Sequence, residues 1–378
     1  MTAPSIQEMA AAAGIRRVTF VAWRDLDHSA AGGSEVHANR IASSWAEAGL
    51  DVRLRTGRVA DLAAPARLTR GGVTVERVGG AVDVFLRTPW HEGRARRGDA
   101  LVEVWHGVNF LAPLWARVPT IGIAHHVHAG QFAHVLPKPV AVLAAALERH
   151  LYPRVYRRTP LVTLSDSVRD ELVQLGYRDD SVTVVTPGVD ERFRPGGTRA
   201  HAPTLLVVAR LMPQKRVDVV LRTAAGLRSV HADLEVVVVG DGPERGRLEA
   251  ENAALGRPAR FVGHLTDAEL VEWYRRAWLL VSASLFEGWG MTITEAAACG
   301  TPAVASDIPG HRDAVADGLS GVLCRDGDWE ATLGRLLADA DERARLSSGA
   351  LRHAAHFRWD EAARQTFAVL ADAAARHR

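Results

Sequence analysis

From Thr204 onward the chain alternates strand-like and helix-like stretches so regularly that few architectures remain open. Strand candidates fall at Thr204–Ala209, Leu234–Val239, 259–262 and 278–283, with helix candidates at 215–229, 243–254 and 266–276 between them. Val236 to Val239 is continuously apolar, as a strand covered on both faces should be. Thr266 and Glu269 have the spacing of a capping box at the start of a helix. The first half opens in the same way. Arg17 to Trp23 reads as a strand, and a polar loop containing Gly32-Gly33 follows. Glu35 to Ala48 then has helical apolar spacing, Gly49 closes it, and Asp51–Thr56 is the next strand. Val73–Val78, Val82–Leu86, Leu101–Val104, Thr120–Ala124, Leu161–Leu164 and Ser181–Thr186 are further strand candidates, and Ser165 can cap a helix running to Leu175. Strand–helix–strand order of this kind builds parallel sheets with helices on both faces, and such sheets bind ligands at the carboxyl ends of their strands.

At 378 residues the chain is too long for one ordinary core and fits two domains. A break in periodicity from Asp190 to Pro203, containing Pro195-Gly196-Gly197, divides them. The expected organisation is a first domain over residues 1–189, a linker over 190–203 and a second domain over 204–358. Closing helices are expected at Trp329–Leu337, Asp341–His353 and Trp359–Ala375. The fold class is α/β: two doubly wound, Rossmann-like parallel-sheet domains with a cleft between them. A net charge of only +2, with no stripe of interleaved aromatic and basic residues, argues against a nucleic-acid partner. Cys299 and Cys324 give neither a disulfide framework nor a zinc pattern, which fits a reducing cytoplasm. Met1 to Gly14 does not read as a signal peptide, and the apolar run Val140–Leu147 is far below the ~20 residues of a membrane span.

The chemistry concentrates in Leu285 to Gly300, where a glycine-rich loop feeds a helix that starts near Thr292 and stops at Gly300. Gly288 and Gly290 let backbone approach a ligand closely, and the free N–H groups at Gly290, Met291 and Thr292 suit an anion. Glu287 in the loop and Glu295 on the helix stand eight residues apart. Carboxylates repel bare phosphate but accept hydrogen bonds from sugar and ribose hydroxyls. A phosphate site combined with hydroxyl-reading carboxylates describes a nucleotide-sugar site. Arg210 and Lys215 flank the loop after the second half's first strand, where they are either an exposed basic turn or the cations of a diphosphate. Gly240-Asp241-Gly242-Pro243 and Phe261-Val262-Gly263-His264-Leu265 end two further strands.

The pattern Glu-x7-Glu, with EGWG in front and EAAACGTPAVASDIPG behind, resembles the retaining glycosyltransferases of family 4, which have the GT-B fold. The resemblance is strongest from about Leu205 to Val322. It implies transfer of a sugar from a UDP- or GDP-linked donor to the hydroxyl of a glycan, a lipid or a small molecule. It assigns Arg210 and Lys215 to the diphosphate, Glu287 to the donor sugar and Glu295 to the ribose. Gly32-Gly33 matches the family's glycine loop facing the donor phosphates, His264-Leu265 the segment lining the base, and His125 the histidine near the donor sugar, with His128 as second choice. No cofactor is implied beyond the nucleotide sugar, and no metal is essential, since the two cations already neutralise the diphosphate. The family also places the last helix, 359–378, back on the first domain.

Other features stay open. Glu35 can simply be an acid in a helix's first turn. His125-His126-Val127-His128 looks like a metal site but lacks accompanying cysteines or acids. Trp105-His106-Gly107 either lines the acceptor pocket or forms a turn, and Asp25-Leu26-Asp27 either reads acceptor hydroxyls or is structural. Asp326-Gly327-Asp328 reads as a turn before a helix. Arg94–Arg97 and Arg149–Arg158 are basic patches, either solvated faces or peripheral contacts with an anionic membrane. The competing functions are a GT-B sugar phosphorylase, a nucleotide-sugar epimerase and a non-catalytic sugar-nucleotide binder. A dinucleotide oxidoreductase lacks its Gly-x-Gly-x-x-Gly after the first strand.

Overall fold

A computed structural model of the chain describes residues 3–28, 31–58, 65–80, 82–95, 98–128, 130, 132 and 137–377. It divides into two compact units, Met1–Gly188 with Trp359–Arg378, and Val189–Arg358.

Unit 1 runs α1 (Ile6–Ala13), β1 (Arg17–Val21), α2 (Gly33–Glu47), β2 (Asp51–Thr56), β3 (Arg67–Arg70), β4 (Val73–Arg77), α3 (Val84–Ala95) and β5 (Ala100–Trp105). It continues with β6 (Thr120–Ala124), α4 (Lys138–Ala146), α5 (Tyr152–Val155), β7 (Leu161–Thr163), α6 (Asp166–Gln174) and β8 (Val182–Val184). Its sheet has the order β3-β4-β2-β1-β5-β6-β7-β8 and is parallel except for β3, which pairs antiparallel with β4. Phe20, Ile41, Trp45, Ile121 and Ile123 are fully enclosed in its core.

Unit 2 runs β9 (Thr204–Val208), α7 (Val217–Leu227), β10 (Glu235–Val239), α8 (Arg245–Ala254), β11 (Ala259–Gly263), α9 (Asp267–Arg276) and β12 (Leu279–Ser282). Then come α10 (Met291–Ala298), β13 (Ala303–Ser306), α11 (Pro309–Ala314), β14 (Gly321–Cys324), α12 (Trp329–Ala338) and α13 (Ala340–Ala354). Its sheet, β11-β10-β9-β12-β13-β14, is parallel throughout. The capping box expected at α9 is formed by Thr266 and Glu269.

The last helix, α14 (Trp359–His377), belongs to unit 1. The Trp45 indole donates to the Ala363 carbonyl (3.0 Å) and meets the Phe367 ring edge-on at 5.0 Å. Residues 190–203 form no helix or strand, yet they are bound into unit 2. Arg199 donates to the carbonyls of Ala277 and Gly300 at the end of α10, and the Trp278 indole to Ala200 (2.7 Å).

One expectation needs correction, and two elements were not foreseen. Val82–Leu86 is a turn and the start of α3, because only Val84 of its aliphatic residues is buried while Val82 and Leu86 face solvent. A short apolar run cannot by itself separate strand from helix. β3 is antiparallel and too polar to show apolar alternation. α1 lies in a segment considered only for targeting signals, although Ser5 and Glu8 form a capping box there. Of the basic patch Arg94–Arg97, Arg96 and Arg97 lie outside the described residues.

Candidate active site

In unit 2 the loops after β10, β9 and β12 are neighbours, because those strands are adjacent in the sheet. The β9 and β10 loops press together through two glycines. A Cβ on Gly240 would meet the Ala209 carbonyl oxygen at 2.0 Å, and one on Gly242 the Leu211 oxygen at 2.4 Å. The β12 loop joins them where Leu285 N–H donates to Gln214 (2.8 Å). Arg210 is exposed, while the half-buried Lys215 pairs with Glu287. The chain has only two lysines, Lys138 and Lys215, among its 46 basic residues, so the compact ammonium charge is rare where arginine is the rule. The ammonium carries three donors, and Glu287 uses one.

Glu287 also accepts from Ser284 Oγ (2.8 Å). Burial works to raise its carboxyl, but Lys215, His311 and Ser284 together hold it below the usual carboxylate range. His311 is a participant that sequence reading missed. Its ring is wholly buried, with Nδ1 near the Ser306 carbonyl (3.0 Å) and Nε2 near Ser282 Oγ (3.3 Å). The available signal was its place directly after Pro309-Gly310, behind β13. Gly310 is needed for contact: a Cβ there would come within 2.2 Å of the Glu287 carbonyl oxygen. Gly290, at φ 107°, turns the chain into α10 and leaves the first N–H groups of that helix, at Met291 and Thr292, to outside acceptors.

Glu295 lies one turn into α10 and accepts from the buried Tyr274 hydroxyl (2.8 Å). Burial pushes its carboxyl up to about 7, against the hydrogen bond from Tyr274 and the charge of Arg192. Two carboxyls on one loop–helix segment therefore differ: Glu287 is held ionised beside a cation, and Glu295 titrates near neutrality. The sign for stability follows. In the unfolded chain Glu295 titrates near its ordinary value of 4.5, so the folded state holds the proton more tightly. Its contribution to stability is full below about pH 4 and is lost as pH rises through about 7. Denaturant unfolding between about pH 5 and pH 8 should show a smaller fall in stability for Glu295→Gln than for the parent; equal slopes would contradict this. At the β11 end, His264 is exposed and Leu265 half-buried. Asp241 bonds Gly242 N–H (2.7 Å) and Arg245 (3.0 Å).

In unit 1 the exposed Gly32 and Gly33 open α2. Glu35 is an acid in the first turn of α2, and a buried one. It is 3% exposed and accepts from Gly32 N–H (2.7 Å), Ser34 Oγ (3.1 Å) and Arg24 Nε (2.7 Å), with His106 Nε2 at 2.9 Å. Burial opposes ionisation, but His106 and Arg24 hold the carboxyl far below its ordinary value. His106 thus braces the glycine loop.

His125 follows β6 and is nearly enclosed, with Nε2 at 3.3 Å from His37 Nδ1. Burial drives both imidazoles toward the neutral form. His125 Nδ1 has no hydrogen-bond partner among the described residues. His128 packs against His126 with tilted rings (4.0 Å), lies beside Glu148 (3.4 Å) and is pushed down to about 3 by burial.

Asp25 and Asp27 are not open to hydroxyls as an acceptor-reading pair. Arg77 binds both Asp25 oxygens (2.6 and 3.0 Å) and also Asp27, which pairs with Arg70 as well. The carboxylates met their partners across some 50 residues, beyond the reach of spacing. Asp326 pairs with Arg216 (2.9 Å). Among the described residues no group of three or more histidines, cysteines or acids could hold a metal ion. No described helix is long and apolar enough to cross a membrane.

Comparison with known proteins defines the class. Residues 189–353 match the family described as Glycosyl transferases group 1, and residues 31–193 match Glycosyltransferase Family 4. A D-inositol 3-phosphate glycosyltransferase of Salinispora tropica is 34% identical over 403 residues, covering 92% of this chain and 82% of that one. One of Stackebrandtia nassauensis is 31% identical, covering 91% and 87%. Among solved structures, sucrose-phosphate synthase of Thermosynechococcus elongatus superposes with a TM-score of 0.78 at 17% identity, covering 93% of this chain and 97% of that one. Anabaena Alr3699/HepE in complex with UDP-glucose superposes with 0.74 at 18% identity, covering 93% and 98%. The chain therefore belongs to glycosyltransferase family 4, in the group 1 glycosyltransferases. It is a glycosyltransferase with the GT-B fold.

Proposed function

We propose that the enzyme is a retaining hexosyltransferase that takes its sugar from a UDP- or GDP-linked donor. The observation that carries this reading is the pairing of Lys215 with an ionised Glu287 on the loop that leads into the helix bearing Glu295. In unit 2, Arg210 and Lys215 hold the diphosphate, joined by N–H groups of Gly290, Met291 and Thr292; in unit 1, the Gly32-Gly33 loop takes donor phosphate. Glu287 takes sugar hydroxyls, Glu295 the ribose hydroxyls, and His264-Leu265 the base. His125 positions the sugar near its reacting carbon. The acceptor oxygen bonds to that carbon on the face from which the diphosphate departs. The carbon–oxygen bond to phosphate breaks, and the acceptor proton passes to the leaving diphosphate, whose growing charge Arg210 and Lys215 stabilise. No divalent metal is required, because two side-chain cations already stand there.

Unit 1 forms the acceptor side. The relatives named for D-inositol 3-phosphate make a phosphorylated polyol the first acceptor to try, ahead of glycans and lipids. Proton NMR of the product from an α-linked donor tests the stereochemistry. An α-linked product is expected, and a β-linked one would overturn retention. Release of epimerised nucleotide sugar without acceptor would favour an epimerase instead.

A further inference from the structure

Unit 1 carries a groove of about 810 Å³ at the amino ends of β6 and β7, beside Thr120 and Pro160. His125 follows the opposite end of β6, about 15 Å away at ~3.3 Å per residue. None of the residues assigned above to the donor is among the lining of the groove. Arg154, Arg157, Arg158 and Arg376 line it, with Val118 and Pro160 among the apolar residues between them. No acid is among its described lining residues. We infer that this groove is a binding site for a phosphate-bearing anion.

The arginines are presented by fixed backbone. Thr159 N–H donates to the Tyr156 carbonyl (2.9 Å), closing a four-residue turn with Arg157 and Arg158 at its centre. Tyr156 is fully buried and its hydroxyl donates to the buried Glu103 (2.7 Å), so the turn is anchored in the core. Arg376 and His377 stand on the last turn of α14, where the Arg376 charge offsets the negative end of that helix. Arg376 also feels Asp180, but that carboxylate is bonded to Arg178 (2.6 Å). Arg154, Arg157, Arg158 and Arg376 thus supply the groove's positive charge. Guanidinium groups are weakly hydrated forks that match phosphate oxygens in pairs, and several around one apolar floor repel each other until an anion enters. A sulfate-sized ion would leave most of the groove unfilled. The fitting ligand carries more than one phosphate, or a phosphate on a larger body that lies along Val118 and Pro160. A soluble phosphate ester and an anionic lipid headgroup share this chemistry.

Calorimetric titration with inorganic tripolyphosphate at about 150 mM salt, where exposed charges are screened beyond ~8 Å, is the first arm. Sedimentation with phosphatidylcholine vesicles holding about 30% phosphatidylglycerol is the second. The full-length protein is compared with Arg157→Ser/Arg158→Ser and with Arg67→Ser/Arg87→Ser, which removes equal charge elsewhere on unit 1. Binding of tripolyphosphate, weakened about tenfold or more in the first variant and unchanged in the second, supports a site for soluble phosphates. Vesicle binding with the same dependence, without tripolyphosphate binding, supports a headgroup site. Equal weakening in both variants, or no binding in either arm, overturns the inference.

Discussion

Replacing Lys215 with alanine is expected to lower glycosyl transfer at least 100-fold, about 3 kcal/mol of transition-state stabilisation. The loss has two parts. The departing diphosphate loses a cation held at the carboxyl edge of β9, and Glu287 loses the partner that keeps it ionised despite burial. An uncompensated buried carboxylate also destabilises the fold. Lys215→Ala/Glu287→Gln separates the two effects. It should regain most of the lost stability, since no charge is left unpaired, but none of the activity. Lys215→Arg should rescue poorly, because a planar fork does not replace a compact ammonium that binds Glu287 and retains two free donors. Steady-state kinetics and denaturant unfolding on all three variants test this, and activity near that of the parent in Lys215→Ala would contradict it.

Gly310→Ala should be almost as damaging, although residue 310 carries no chemistry. A methyl group there would sit 2.2 Å from the Glu287 carbonyl oxygen and 2.9 Å from the Gly288 carbonyl carbon. Both obstacles are backbone, so the β12 loop must move to admit it. A displacement near 1 Å at a positioning element can cost about 100-fold in rate. The loop also sets Gly290, the start of α10 and hence Glu295. The signature is therefore a combined loss: lower turnover together with weaker nucleoside-diphosphate affinity. Gly318→Ala is the control, because a Cβ there meets nothing within 4 Å, although its φ of 68° makes alanine mildly strained. Equal effects at the two positions would contradict loop displacement as the cause.

What could be read from the chain, and what could not, follows from the range over which residues act. The parallel sheet of unit 2 was legible because its strands and helices each carry their own periodicity, as Val236–Val239 and the Thr266–Glu269 cap illustrate. Glu287 and Glu295 stood out because one loop and one helix carry both. The partners that set their chemistry did not. Tyr274 reaches Glu295 from α9, and His311 lies under the loop from beyond β13. Arg77 closes on Asp25 and Asp27 from another strand. Such pairs are made by folding, with no spacing to announce them. The unit 1 edge was hardest to read, because β3 is polar and α3 exposes Leu86 and Trp90. His106 and His125 could be named individually, but their pairing with Glu35 and His37 of α2 is made only by folding.

The central claim is that Glu295 and its loop form a nucleotide-sugar site. Thermal unfolding should be measured with UDP, GDP, dTDP, NAD and several UDP- and GDP-sugars, on the parent enzyme and on Glu295→Ala. A ligand at 100 times its dissociation constant adds ~2.7 kcal/mol of stability. The account predicts that one nucleoside diphosphate and its sugars stabilise the parent and act much more weakly on Glu295→Ala. Stabilisation by NAD alone, or the same shift in both proteins, would contradict it.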